Sequence, residues 1–180
     1  MKYTRTQIST AMPVDPDKLL THARIDESML PELLIYLDAA AREIEEYTGI
    51  ALLTQTITCT TDEWPGQVID LPVGPMAPDV TATIAAIELD GTTTAITSGF
   101  WLEGGRYPRL HWPDTQPASR LRLTYTAGYG STHNALPADL AHAVLDQAVH
   151  LFNTAGSEAG ASGLGLAAAR IAARYRRVAL

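Results

Sequence analysis

Three residues that could bind a metal ion recur along one predicted helix. His142, Asp146 and His150 are spaced i, i+4 and i+8, with Asp139 one turn earlier, which places them on one helix face. Metal sites do use pairs at i and i+4. The outer pair is nevertheless about 12 Å apart along the axis, too far for one ion bound at about 2.1 Å from each nitrogen. A metal site here needs one i, i+4 pair plus ligands from elsewhere; the alternative is a polar helix face.

The other reactive side chains do not form a catalytic constellation. Glu43, Glu45 and Glu46 diverge around a helix, so we expect solvated or intersubunit ion pairs from Glu43 and Arg42 rather than acid–base catalysis. The single Cys59 excludes an internal disulfide and a cysteine-built metal site. It alternates within a predicted strand as a small buried hydrophobe. The sequence has no nucleophile elbow and no dinucleotide-binding fingerprint. We therefore predict a structural or binding role, with no enzyme activity, no cofactor and no bound metal. The alternative is a small metal-binding domain or enzyme that uses the His142, Asp146 and His150 face.

Composition indicates a globular chain with an acidic body and a basic end. The chain has 180 residues, is 46% hydrophobic and has a mean hydropathy of +0.00. No run approaches about 20 apolar residues, so no membrane span is predicted, and the N-terminus lacks the apolar core of a signal peptide. Residues 1–158 carry nine Lys/Arg and twenty Asp/Glu, whereas residues 159–180 carry four Arg and no acid. An acidic body disfavours wrapping of nucleic acid, which leaves a DNA-binding accessory role for the basic end as an alternative.

A long helix followed by short strands must position these residues. Apolar residues at steps of three and four predict a helix over 29–48, with Ser28 as its cap and Gly49 as its left-handed last residue. Alternating β-branched residues separated by turn signals predict five or six short strands over 51–129. One pair of these strands forms a hairpin at Asp90-Gly91.

Both ends of the chain carry their own signals. Residues 1–14 lack a sustained period and are predicted to be an arm, after which Asp15 caps a short helix. A further helix is predicted over 137–153, where Pro stands at the start. Four glycines make residues 156–165 a hinge, and the Ala- and Arg-rich residues 166–180 form a basic, helix-prone tail.

A series of short motifs between residues 15 and 152 keeps the order and spacing of a known family. The motifs are Asp26-Glu27, Ala40-Ala41-Arg42-Glu43-Ile44-Glu45, Thr48-Gly49, Leu52, Gln55-Thr56, Leu71-Pro72, Tyr125-Thr126-Ala127-Gly128-Tyr129, Leu136-Pro137, Asp139-Leu140 and Ala143. They resemble the head–tail connector proteins of tailed phages, also called adaptor or head-completion proteins, which gene transfer agents carry too. Family members often place an aromatic residue and then an Arg at the end of the last helix. This chain has Phe152-Asn153-Thr154 there, which argues against an intersubunit ion pair from such an arginine.

The resemblance implies a fold, a location and partners. The fold is α+β, with helices packed beside a small antiparallel β-domain over 1–155 and a hinged C-terminal helical tail. Family members form a ring, usually of twelve copies, between the portal protein and the tail or stopper proteins. The ring extends a channel through which DNA passes without sequence-specific binding. The implied location is the head–tail interface of the virion, with assembly in the host cytoplasm, and we expect Arg42, Glu43 and Glu46 to contribute to the subunit interface.

The tail is predicted to bind the portal protein. Its residues combine positive charge with apolar anchors: Arg170, Ile171, Arg174, Tyr175, Arg176 and Arg177. Arg and Tyr are favoured interface anchors, and a segment that orders on binding incurs its entropy cost at that moment. We expect the tail to be mobile in the free subunit and to dock when the ring forms. The alternatives are a helix packed back on its own domain with solvated arginines, and contact with DNA phosphates.

Overall fold

The computed structural model describes residues 1–61, 67–112, 120–156 and 163–177, and the chain divides into two compact units. The β-unit consists of Met1–Ser9 and Thr54–Tyr129, and the helical unit consists of Thr10–Leu53 and Gly130–Leu180. The two units therefore alternate along the sequence, so that each is built from two separate stretches of the chain. Helices and antiparallel strands are both present, which confirms the predicted α+β class.

The helical unit contains the four α-helices of the described residues. They are α1 (Pro16–Ala23), α2 (Leu30–Thr48), α3 (Ala138–Thr154) and α4 (Leu166–Ala172). Short 3-10 turns at Glu27–Met29 and His133–Ala135 precede α2 and α3. The apolar stripe of α2, with Leu33, Leu37 and Ile44 buried, packs against that of α3. No helix of the described residues is long and apolar enough to cross a membrane.

The helix ends follow the sequence signals with one exception. The Asp15 carboxylate accepts a hydrogen bond from the Asp17 N–H (3.1 Å), which confirms the cap of α1. Gly49 ends α2 with a φ of 73°, as predicted. The prediction that Ser28 caps α2 is wrong. The Asp26 carboxylate accepts from the Ser28 N–H (3.0 Å) and begins the preceding 3-10 turn, so that α2 begins only at Leu30.

The β-unit contains two antiparallel sheets. The described strands are β1 (Lys2–Gln7), β2 (Gln55–Thr61), β3 (Val68–Asp70), β4 (Thr83–Ile87), β5 (Thr93–Ile96), β6 (Trp101–Glu103), β7 (Arg109–His111) and β8 (Arg120–Ala127). Five strands form one sheet in the order β1-β2-β8-β4-β5, and three form the other in the order β3-β7-β6. The predicted hairpin is confirmed between β4 and β5, where Gly91 has a φ of 88° and the Asp90 carboxylate accepts from the Thr92 N–H (2.8 Å).

The inner faces of the two sheets form the core of the β-unit. Cys59 and Leu123 from the larger sheet and Leu110 from the smaller one help to line a void of about 10 Å³. Tyr125 is 1% exposed, and its hydroxyl donates to the Val73 carbonyl (2.9 Å) and accepts from the Val73 N–H (3.2 Å). That hydroxyl therefore fixes the segment after β3 to the larger sheet.

The prediction of an arm over residues 1–14 is wrong for Lys2–Gln7. These residues form the edge strand β1, in a register that runs from Lys2 opposite Thr60 to Gln7 opposite Gln55. Every β1 side chain except Arg5 is exposed, so the strand carries no hydrophobic alternation. Backbone hydrogen bonds rather than burial stabilise the pairing.

Candidate functional site

The described part of the C-terminal region packs on α3 of its own helical unit. In residues 163–177, which we call the tail segment, Ala168 and Ala172 are fully buried and Tyr175 is 6% exposed. This arrangement corresponds to the alternative given for the tail in the sequence analysis, a helix packed back on its own domain. Residues 157–162 of the predicted hinge and 178–180 of the predicted tail lie outside the described residues. Portal binding by the tail stays a prediction.

Polar contacts to Asp139 anchor the end of the tail segment. The Tyr175 hydroxyl donates to Asp139 Oδ1 at 2.6 Å, and the Arg174 guanidinium lies 3.4 Å from Oδ2. The Arg176 guanidinium carbon lies 5.4 Å from the centre of the Tyr47 ring on α2, within the range of a cation–π contact. The end of the segment is therefore held by α3 and α2 together.

A buried amide at Gln147 joins three elements of the helical unit. Its side chain is fully buried, and Nε2 donates to Glu43 Oε2 (2.6 Å) on α2 and to the Gly163 carbonyl (3.4 Å). Its Oε1 accepts from the Gly165 N–H at 2.7 Å. A buried amide with both ends bonded fixes its neighbours in one arrangement. The sequence analysis missed Gln147, although a polar residue on the apolar stripe of α3 was an available signal.

The six predicted portal-binding residues differ in exposure. Arg170, Arg174 and Arg176 are exposed, Ile171 and Arg177 are half-buried, and Tyr175 is buried. The segment therefore presents arginines outward and its aromatic ring inward. Among these six residues the exposed side chains are all arginines, and Leu166 adds an apolar side chain that is 80% exposed on the same segment.

The three predicted interface residues also differ. Arg42 is exposed and pairs with Asp38 one turn earlier at 3.0 Å, an ion pair that contributes little in solvent. Glu46 is exposed, whereas Glu43 points to Gln147. Glu45 accepts from the Leu52 N–H at 2.7 Å, so these carboxylates diverge, as the helix spacing predicted. The interface role stays a prediction.

The structure brings together His22, His142 and Asp146 as possible metal ligands, whereas the sequence suggested His142, Asp146 and His150. His142 and Asp146 are joined by His22 from α1, with His22 Nε2 at 2.8 Å from Asp146 Oδ1 and His142 Nε2 at 3.6 Å from Oδ2. His150 instead faces the tail segment, where a Cβ at Gly165 would lie 3.2 Å from its Cγ. Sequence reasoning missed His22, because it lies 124 residues from Asp146 and no local spacing links the two.

Comparison with known proteins gives full-length matches to particle structures. No protein-family model and no curated protein matches the chain. The neck of an empty gene transfer agent particle, computed with C6 symmetry, matches with a TM-score of 0.83 and 25% identity, over 100% of this chain and 97% of the other. The virion of a native gene transfer agent particle matches with the same values, and the neck of the native particle, computed with C12 symmetry, matches at 0.78. These matches confirm the resemblance that the sequence motifs indicated.

Proposed function

We propose that this chain, a structural neck protein of the gene transfer agent type and not an enzyme, is the connector subunit of a ring between portal and tail. The observation that carries the proposal is the match in fold over 100% of this chain and 97% of the neck subunit, at 25% identity. The subunit assembles in the host cytoplasm and becomes part of the virion at the head–tail interface.

The outer face of α2 offers one side of a subunit contact. A ring needs two different surfaces on each subunit, because each copy contacts its neighbours head to tail. Ile35, Arg42 and Glu46 are spaced by seven and four residues, so they share one helix face. All three are exposed, and Ile35 retains 69% of its exposure. An apolar side chain beside one positive and one negative side chain suits a subunit contact, because the charges also fix the orientation of the neighbouring subunit.

The tail segment supplies the contact with the portal protein. Of its exposed arginines, Arg170 lies on α4, and Arg174 and Arg176 follow the end of that helix, where contacts to Asp139 and Tyr47 hold them. Arginine is favoured at interfaces because its planar guanidinium forms paired hydrogen bonds. The acidic remainder of the chain repels phosphates, which suits a channel that DNA passes without sequence-specific binding.

Electron microscopy of particles made without this protein tests the proposal. We expect DNA-filled heads without tails, and tails restored when the gene is supplied in trans. Tailed, infectious or transducing particles in its absence would contradict the connector role.

Charge reversal in the tail segment tests the portal contact. We expect Arg170→Glu with Arg176→Glu to weaken binding to purified portal protein by about tenfold or more, the loss typical of interface hot spots. Arg120→Glu with Arg122→Glu makes the same double charge reversal at two exposed positions on β8 and should leave binding unchanged. If the tail arginines instead contact DNA, the wild-type chain binds DNA alone with an affinity that falls steeply with salt.

A further inference from the structure

We propose that His22, His142 and Asp146 form a binding site for a divalent transition-metal ion of the zinc type, which links α1 to α3. The three residues lie in the helical unit and contribute two imidazole nitrogens and a carboxylate. This inference goes beyond the connector role and does not depend on it, because it concerns the isolated subunit.

The separations of the ligand atoms fit one ion. Ligands in a tetrahedron around zinc, at about 2.0–2.1 Å from the metal, lie about 3.3 Å apart. His22 Nε2 lies 2.8 Å from Asp146 Oδ1, and His142 Nε2 lies 3.6 Å from Oδ2, so both imidazole nitrogens lie near the same carboxylate. All three ligand atoms lie within 4.8 Å of one another. A modest rotation of the His142 ring closes the remaining gap.

The surroundings permit that rotation. The His142 side chain is 54% exposed, whereas those of His22 and Asp146 are 30% and 22% exposed. His142 also lines a pocket of about 250 Å³ with Val14, Ala138 and Leu145 among its other walls. His142 is thus the most exposed of the three and has the most room to adjust. The open side leaves room for water as the fourth ligand.

The donor set selects the class of metal. Imidazole and carboxylate together suit zinc and its neighbours in the transition series. Magnesium and calcium prefer sites built from oxygen ligands alone, and this site has one carboxylate. Without metal, the 2.8 Å hydrogen bond between His22 and Asp146 already connects α1 to α3. An ion bound here would add a second connection between the same two helices.

Glutamine substitutions separate metal binding from that hydrogen bond. His22→Gln keeps a side-chain N–H donor for Asp146 but removes the imidazole ligand. His142→Gln likewise replaces an imidazole with an amide, at the more exposed position. Circular dichroism verifies that each variant is folded. His150→Gln on the same helix, and His111→Gln, which alters a His–carboxylate pair at 2.9 Å in the β-unit, are the matched controls.

Calorimetric titration of the chelator-treated, full-length protein with zinc chloride is the test. We expect the wild type to bind one zinc ion per chain. The affinity for zinc should fall at least about tenfold in His22→Gln and in His142→Gln, because loss of even a group that only supports a ligand has an effect of that size. Both controls should bind zinc with wild-type affinity. Zinc should also raise the thermal midpoint of the wild type and not that of His22→Gln, because a ligand of the native state stabilises it. Magnesium should cause no rise. Absence of zinc binding, or equal binding by His22→Gln, would overturn the proposal and leave the connector role unaffected.

Discussion

At the scale of single residues, we expect the buried hydroxyl of Tyr125 to stabilise the core of the β-unit. It makes both hydrogen bonds of the Val73 peptide group, and Tyr125→Phe would leave a buried N–H and C=O without that partner. We expect the free energy of unfolding to fall by about 1–3 kcal/mol. Urea denaturation measures the change. Tyr3→Phe removes an exposed hydroxyl on β1 and should leave stability unchanged; equal effects from both variants would contradict this role.

Cys59 is expected to be unreactive in the folded protein. Burial raises the pKa of its thiol from 9.0 to about 12, so the reactive thiolate is scarce well above neutral pH. We expect no reaction with a disulfide reagent between pH 7 and pH 9 in the native state, and one thiol per chain after unfolding. Ser98→Cys adds an exposed thiol on the β-unit and should react at once. Rapid labelling of native wild-type protein would show that this core opens readily.

At the scale of elements, we expect the hydrogen bonds of Gln147 to hold the tail segment on α3. Gln147→Leu keeps the size of the side chain but breaks its bonds to Glu43 and Gly165 and leaves those groups unpaired. We expect faster amide hydrogen exchange across residues 163–177, with little change in the β-unit. Asn153→Leu, at an exposed position of the same helix, is the control. Unchanged exchange in the tail segment would mean that Tyr175 and the buried alanines hold it without the amide.

Elements with a local signal were predictable from the sequence, and those fixed by distant contacts were not. The stripe of α2, the turn at Asp90-Gly91 and the left-handed Gly49 depend on neighbours within a few residues, and the structure confirms them. The edge strand β1 has no buried face, so its partner β2 rather than its own pattern determines it. The candidate metal cluster shows the same contrast, because spacing identified His142 and Asp146 but only the fold supplies His22.

At the scale of the whole molecule, the subunit has to be compatible with assembly in a ring. Structures of gene transfer agent necks with C6 and C12 symmetry match this chain over its full length, so its exposed apolar side chains are candidates for ring contacts. We propose that Ile35, which is 69% exposed on the outer face of α2, is one such contact.

Ile35→Glu should therefore impair ring formation and leave the subunit folded. A carboxylate at a subunit contact must lose its hydration when the interface forms, whereas on the free subunit it stays in water. We expect normal thermal unfolding of the isolated variant and loss of the ring in electron micrographs of neck complexes assembled with portal protein. Thr94→Glu introduces the same group at an exposed position of β5 and should still assemble. Intact rings from Ile35→Glu would exclude the outer face of α2 from the interface. Burial of an unpaired carboxylate there would have lowered the stability of the ring measurably.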